Sequence, residues 1–514
     1  MPLLRKAILK PIVGLNFEDP STMISDRGGF PTNMRLYRNW LKKREGKILF
    51  GDNAISGSVL HVCQYALESL SVRLVRFSQR NAEKYNPTTD HWDDITGANF
   101  TGGVDNFFST CVAENQLVIS NYIDIMRTYN DIGNTANLVA TSGIVPRAKF
   151  IEYNEAGYLI AAFTDAASGG PTRVQWADIG DITRWGSGNA GAKQLRHTPD
   201  PIRALKNLKG YTVAYKKDSI YLGRPVDTAD IIKWDLEWTN VGLMSNRALV
   251  AYRGRHYFMG TDDFYVYNGA SLPESIGIDT VKREVFGRLN RDKAERCFAL
   301  LMEEYDEVWF FIVLAGNDWP TEIWKFNYRT GYWYYDTCDE LTSACIYFRT
   351  SALTVDELPG LVDDLPFVID DALLTTDFPL AVVGNVNGIT RQCNPMYGND
   401  GNNDVPIDGY WESMDFAADK FEEYKRWLQL DYEAKGNNLV VSYSTDFGVS
   451  WKDIPINNLG NTLQPLTTQW TTYRIYFDVV AQYIRFRFRN ANLSETFFLR
   501  QFYPYWLHRE EVNR

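Results

Sequence analysis

Phe326-Asn-Tyr-Arg-Thr-Gly-Tyr-Trp333 and Tyr85-Asn-Pro-Thr-Thr-Asp-His-Trp92 share one pattern: an aromatic residue, Asn, two residues, Thr, two residues, Trp. An aromatic followed by Asn also closes the runs at Tyr129-Asn130 and Tyr267-Asn268, and Trp176-Ala-Asp178 through Trp185 is a related hairpin. The Asn or Asp side chain caps its own turn or tolerates the left-handed backbone region there. The Trp that follows is placed to pack between neighbouring sheets. The turn positions Asn86, Asn130, Asp178, Gly223 and Asn268 recur at intervals of about 45 residues, and Asn327 and Asn387 follow at intervals of about 60. A period near 45 residues, with about four strands in each unit, is the signature of a β-propeller blade.

Working outward, short apolar runs alternate with turns along most of the chain. Phe150–Tyr153 and Tyr158–Phe163 flank Asn154-Glu-Ala-Gly157; Tyr211–Tyr215 and Ser219–Gly223 flank Lys216-Lys-Asp218; Arg255–Met259 and Asp263–Tyr267 flank Gly260-Thr-Asp262. These are hairpins by spacing and turn chemistry. Helical patterning is confined to residues 278–296 and Met34–Lys43. From about residue 409 the strands alternate strictly, as in Trp427–Tyr432, Leu439–Tyr443 and Tyr483–Phe488, so each has one buried and one solvated face. The expected fold is therefore all-β: a propeller of about six or seven blades over residues 41–408, and a C-terminal β-sandwich-like module over residues 409–514. Residues 1–40 read as a turn-rich arm lying on this chain or a neighbour. Residues 350–390 hold Asp356, Glu357, Asp363, Asp364, Asp370, Asp371 and Asp377 and no Lys or Arg, which marks an acidic insertion within a blade.

Composition narrows the function. The chain has 514 residues, a net charge of −11 and 14% aromatic residues. It lacks the cationic excess that displaces counterions from duplex DNA, although an acidic wall would let DNA slide past without sticking. Six cysteines without a CxxC pair read as reduced, mostly buried thiols of a chain made in a cytoplasm. The first residues do not form a secretory signal, and no apolar run is long enough to span a membrane.

Motifs that carry chemistry are few. Ser444-Thr-Asp446-Phe-Gly448-Val-Ser450-Trp451 fits the Asp-box of sialidase-like propellers, in which the Asp binds turn amides and the Trp anchors the next strand. Asp400-Gly-Asn-Asn-Asp404 matches the first half of a calcium loop, but Val405 and Trp411 stand where Gly and Glu are needed, so a solvated loop is expected. His61, His91, His197, His256 and His508 are scattered and form no local metal pair. Tyr473–Phe477 and Tyr483–Arg489 make a basic-aromatic stripe, read as a sandwich strand with Arg on its solvent face rather than a base-stacking platform. No catalytic, cofactor-binding or metal-ligating residue is expected, and no cofactor.

Four stretches give the chain its resemblance to the tail hub or nozzle proteins of short-tailed bacteriophages, the phage stabilisation or tail accessory factor family. Asn33–Gly46 resembles that family's N-terminal Asn … Leu-x-x-Arg-x-Gly motif, with Glu45 where Pro is usual. Val174–Trp185 resembles its V-x-W-x-D-I-G-D-x-x-x-W blade. Gly210–Asn268 resembles its Y-x-V-x-Y-x-x-x-S-I-Y hairpin followed by F-x-x-x-D-x-F-Y-V-Y-N-G. Trp427–Trp506 resembles its C-terminal module. The resemblance implies a virion structural protein, made in the bacterial host cytoplasm and assembled as a homo-hexameric tail ring. Such a ring would sit below the tail adaptor ring, surround the DNA exit channel, hold a needle or plug and anchor tailspikes or fibres. DNA would only pass through the lumen, and the chain would insert into no membrane. The arm and the acidic insertion are the expected partner contacts. The contrasting expectations are a carbohydrate-binding or sialidase-like propeller, with paired carboxylates and Trp at one mouth, and a monomeric cellular scaffold.

Overall fold

The computed structural model describes residues 4–508 apart from 12–13, 18–27, 38–39, 69–71, 227–229, 349–378, 396 and 419–421. Six four-stranded antiparallel sheets, and a seventh set of four antiparallel strands whose last, Trp333–Thr337, continues into a sandwich sheet through Gly29–Thr32, follow one another along the chain. Their innermost strands are His61–Ala66, Ser109–Ala113, Ala148–Tyr153, Ile202–Leu208, Leu249–Tyr252, Phe298–Met302 and Leu341–Phe348. Each innermost strand packs against the next, and the seventh returns to the first. The fold is a seven-bladed β-propeller.

The seventh blade takes three strands from its own stretch, Leu341–Phe348, Pro379–Asn385 and Thr390–Asn394, and its fourth from far upstream, Gly46–Leu49. Ile48 lies opposite Gln392 and Gly46 opposite Asn394. An unpaired outer edge on the last blade would expose a row of backbone donors and acceptors; the N-terminal strand covers it and locks the ring.

The repeated Asn occupies one structural position, the end of a blade's third strand. Asn86 Oδ1 accepts from Thr88 N, Asn268 from Ala270 N and Ser271 N, and Asn327 from Arg329 N and Thr330 N. Trp92 and Trp333 then lie between blades. Trp92 packs with Phe50 and Tyr347 of the closure region, and Trp333 packs with Phe264 of blade five at 4.8 Å between ring centres. Asn387 departs from the pattern. It lies in the turn between the second and third strands of blade seven, where Asn385 accepts from Asn387 N and Ile389 N, while Asn394 ends the third strand. The acidic residues Asp356 to Asp377 of the expected insertion lie outside the described residues, and the chain from Pro379 onward is blade strand, not insertion.

The N-terminal region also departs from expectation. In place of a helix, Met34–Lys43 forms a hairpin, Met34–Tyr37 paired with Trp40–Lys43. Burial along Trp40–Lys43 alternates, which is a period of two. This hairpin joins Phe497–His508, Lys425–Gly436 and Thr471–Ala481 in one sheet of the C-terminal sandwich, and Arg5–Lys6 pairs with Phe497–His508. Gly29–Thr32 joins the other sheet, beside Gly409–Ser413, Arg485–Asn490 and Asn438–Ser444. Residues 29–43 are thus built into the sandwich rather than forming an arm. Trp427, Tyr432, Phe486, Phe488, Phe502 and Trp506 fill the space between the sheets together with Met34 and Leu41. The helix expected over 278–296 is reduced to Lys282–Arg288 and a 3-10 turn Arg291–Arg296. All six cysteines are free; Cys297 and Cys393 are buried and the other four half-buried. Among the described residues no helix is long and apolar enough to cross a membrane.

A Cβ on Gly46 would lie 1.9 Å from the Asn399 carbonyl oxygen, whereas one on Gly287 meets nothing within 4 Å. Gly46→Ala therefore forces backbone apart at the closure strand and is expected to destabilise the protein by about 1–3 kcal/mol. Gly287→Ala, inside the short helix, should be neutral or stabilising by up to about 1 kcal/mol. Thermal or urea denaturation of the two variants measures the contrast, and equal midpoints would contradict the closure.

Candidate functional site

Each blade sends residues from its inner strand to the propeller axis. His61, Thr110, Glu152, Lys206, Leu249, Ala299 and Ala344, one from each blade, line an axial cavity of about 210 Å³. A nucleic-acid duplex, whose major groove alone is about 12 Å wide, cannot thread it. At one end of this cavity lies Arg247, just ahead of the inner strand of blade five. Its guanidinium donates to the carbonyl oxygens of Leu60 (3.1 Å), Arg296 (3.1 Å) and Thr342 and sits 3.8 Å from the Phe107 ring centre. Three carbonyls from three stretches of the ring thus converge on one cation. Among the described residues no carboxylate lies within ion-pair distance of it, and its Nε is buried without a partner. Burial, partly offset by Cys297 and reinforced by Arg296, pushes its pKa down to about 9.

Arg247 is tied through the Arg296 carbonyl to the wall of a separate cleft of about 530 Å³ at this mouth. Arg203, Lys217, Arg291, Lys293 and Arg296 line it, against Asp105, Asp292 and Glu295. These residues come from the segments that lead into inner strands and from the turns between second and third strands, which all gather at this face. Arg203 pairs with Glu295, and Arg296 Nε donates to Asp105 Oδ1 at 2.8 Å while stacking on Trp319. Lys293 is 3.8 Å from Asp318. Lys217 and Arg291 are exposed and have no carboxylate within 4.0 Å among the described residues; Arg291 meets only the Thr261 carbonyl at 3.5 Å. A side lobe is lined by Tyr122, Lys149 and Phe163, and it shares Asp105, Arg203 and Glu295 with the cleft. Lys149 Nζ lies 4.7 Å from the Phe163 ring centre. Tyr122 and Phe163 hold φ of 71° and 52°, a left-handed backbone that bulky residues seldom adopt. Sequence reading missed this mouth because its members are scattered from Asp105 to Asp318; only the blade register brings them together.

The motifs singled out in the sequence are occupied by structural contacts. In the Asp-box hairpin, Asp446 accepts from Ser450 N (2.9 Å) and the Ser444 hydroxyl, Gly448 stands at φ 86°, and Trp451 is stacked by Arg487 at 3.8 Å. Both carboxylate oxygens of Asp400 accept from Arg44, at 2.9 and 2.6 Å, and one also accepts from Lys47 N. The loop that begins at Asp400 thus serves the closure strand. Along the basic-aromatic stripe, Arg485 pairs with Asp415, Arg487 with Glu412, Arg489 with Asp408 and Arg474 with Asp431. Their charges are spent within the sandwich. Among the described residues no three His, Cys, Asp or Glu side chains are grouped to hold a metal.

Two histidines are held neutral. His256 is fully buried; its Nε2 donates to the Asn207 carbonyl at 2.9 Å, which leaves Nδ1 to accept the Tyr215 hydroxyl at 2.9 Å. Burial lowers its pKa to about 4, with the Asn207 carbonyl opposing. In the axial cavity, burial and then Arg247 lower His61 to about 3. Both folded-state values lie below the unfolded value near 6.5, so the unfolded chain takes up protons first as pH drops. Stability from this source is complete above about pH 6.5 and is lost as pH falls through 6.5 toward 4. At pH 5 the loss is about 2 kcal/mol from His256 alone. Denaturation midpoints at pH 7 and pH 5 should diverge for the natural chain and converge for His61→Gln/His256→Gln; an unchanged divergence refutes the assignment.

No family model matches the chain, and no curated protein matches it. Among solved structures, it is similar to YCF48 from Cyanidioschyzon merolae (9% identity, TM-score 0.39, covering 68% of this chain and 98% of that one). It is similar to the Neurospora crassa Pan2 WD40 domain (8% identity, TM-score 0.38, covering 68% and 94%). It is also similar to the extracellular domain of BT4673, a putative one-component system protein of B. thetaiotaomicron (10% identity, TM-score 0.42, covering 87% of this chain and 60% of that one).

Proposed function

We propose that this protein is a structural component of the tail of a short-tailed bacteriophage, a hub or nozzle subunit that assembles as a hexameric ring around the DNA exit path. The observation that carries the reading is the location of the four stretches that resemble that family. Asn33–Gly46 is the hairpin and connector that lead from the sandwich into the closure strand. Val174–Trp185 runs from the third strand of blade three into the turn after it. Gly210–Asn268 runs from the second strand of blade four to the end of the third strand of blade five, and Trp427–Trp506 supplies most of the sandwich strands. Those motifs therefore fall on parts that build the two-unit body, which is what a ring subunit has to keep rigid.

The narrow axis supports a particular version of this reading. Since the propeller's own axial cavity, at about 210 Å³, is too small for a duplex, the DNA path in this reading lies between subunits, with each propeller forming part of the wall. The net charge of −11 suits a wall past which DNA slides. Partners in this reading are other copies of the chain, an adaptor ring above, and a needle and tailspikes or fibres below. At the propeller mouth, where a sialidase-like enzyme would place its acids, Glu295 and Asp105 are engaged by Arg203 and Arg296, an arrangement that favours the structural reading over glycan hydrolysis.

Negative-stain microscopy and mass photometry of the purified chain, alone and mixed with a tail adaptor protein of a short-tailed phage, test the proposal. Six-fold rings with a central opening are expected, with interfaces large enough (above about 2,000 Å²) to survive dilution. A chain that stays monomeric in both conditions, or that releases sugar from a glycan array, overturns it.

A further inference from the structure

The mouth of the propeller carries charge of the wrong sign for this molecule. The chain is −11 overall, yet its 530 Å³ cleft is lined by five cationic side chains and three carboxylates. Two of the cations, Lys217 and Arg291, have no carboxylate within 4.0 Å among the described residues, and Arg247, bonded to carbonyls but to no carboxylate, lines the neighbouring axial cavity. Like charges gathered in a concave wall repel one another, and the low-dielectric walls focus their field into the cleft. Such a cluster is at its lowest energy with an anion inside. A cleft of this size falls in the range that small-molecule ligands fill.

We propose that the mouth is an anion-binding site for a small molecule carrying two or more phosphate or carboxylate groups. Lys217 and Arg291 supply the uncompensated charge. Arg203 and Arg296 face the same space with their guanidinium planes oriented by Glu295 and Asp105, so that they present donors to one side of the ligand. Lys149, set against Tyr122 and Phe163 in the side lobe, gives the ligand a further contact that is cationic at its tip and aromatic at its wall. The two left-handed aromatic residues are the cost at which that wall is placed. The site needs no second copy of the chain, so it stands or falls apart from ring assembly.

Isothermal titration of the full chain with sodium tripolyphosphate, and separately with citrate, tests the site. Saturable one-to-one binding by at least one of the two probes is expected, weakening as sodium chloride is raised. Lys217→Gln/Arg291→Gln should weaken it at least tenfold. Both side chains are exposed, so the fold should survive, as circular dichroism would verify. Lys452→Gln, which removes an exposed charge from the sandwich, should leave the affinity within twofold. Absence of saturable binding by either probe, or equal losses in the mouth and sandwich variants, overturns the proposal. A short oligothymidylate that displaces tripolyphosphate with higher affinity per phosphate would assign the cleft to a nucleic-acid strand and overturn the small-molecule reading.

Discussion

The structure depends on closing the circle. Seven sheets arranged about an axis bury their faces on one another only if the last meets the first, and the last here is incomplete without Gly46–Leu49. That strand comes from the other end of the chain, so ring closure is a contact between residues more than 300 apart (Gly46 with Asn394). Its loop-closure entropy has to be overcome before the contact contributes. Most of the propeller can form from hairpins made locally; the closure strand and the sandwich strands around it cannot. Stability of the whole is therefore concentrated in a short segment.

What holds that segment is ionic as well as hydrogen-bonded. Arg35 pairs with Glu45 and faces Glu307 of blade six; Arg44 grips Asp400 and approaches Asp336, which pairs with Lys325. Arg35, Arg44, Glu45, Glu307, Lys325 and Asp336 are all buried. Burial alone would raise the Glu45 carboxyl, but Arg35, with Lys42 and Lys325, pulls it down to about 2. Buried ions add little net stability over apolar groups of the same shape, and removing one partner is costly. Their value lies in register. A one-residue slip of the closure strand would invert its faces and leave several charges stranded, whereas an apolar strand would tolerate the slip far better. The sandwich is anchored through the same residues, since Asn33 accepts from Arg44 and donates to Thr337 and to the Asp408 carbonyl. One network thereby fixes both closure and the placement of the second unit.

This also explains what could be read from the sequence. The blades were legible because their information is local: an Asn that binds amides two and three residues on, and a Trp at fixed spacing that fills the gap to the next sheet. The sandwich was legible from strict alternation. The Met34–Lys43 hairpin was not, because Arg35 and Lys43 are charged residues in buried positions, and their compensation by Glu45 and Asn490 is invisible without tertiary contacts. The displaced seventh repeat failed for a related reason. With its fourth strand supplied from residue 46 and a long segment between its first two strands, blade seven has no 45-residue period to detect. The mouth was illegible for the same geometric reason. No two of Arg203, Lys217 and Arg247 share a motif, and each stands where a blade's inner strand starts or a turn faces the axis.

The charge distribution links the two units' roles. Within the sandwich each arginine of the 485–489 strand pairs with an acid on or beside the neighbouring strand: Arg485 with Asp415, Arg487 with Glu412 and Arg489 with Asp408. In the propeller five cations, Arg203, Lys217, Arg291, Lys293 and Arg296, line one cleft against three carboxylates. A charge pattern that served solubility alone would be dispersed. Concentrating cations at one mouth raises the energy of the empty state through mutual repulsion, and Arg247 with its unpartnered buried Nε adds to it. Such an arrangement persists in a folded protein only when the surrounding structure over-determines it. The seven-bladed ring meets that condition because Arg203 and Lys217 sit within or beside paired strands, and Arg291, Lys293 and Arg296 sit on a 3-10 turn that leads directly into an inner strand. The same closure that makes the ring rigid therefore makes an unfavourable concentration of charge possible, and it directs that charge along the propeller axis.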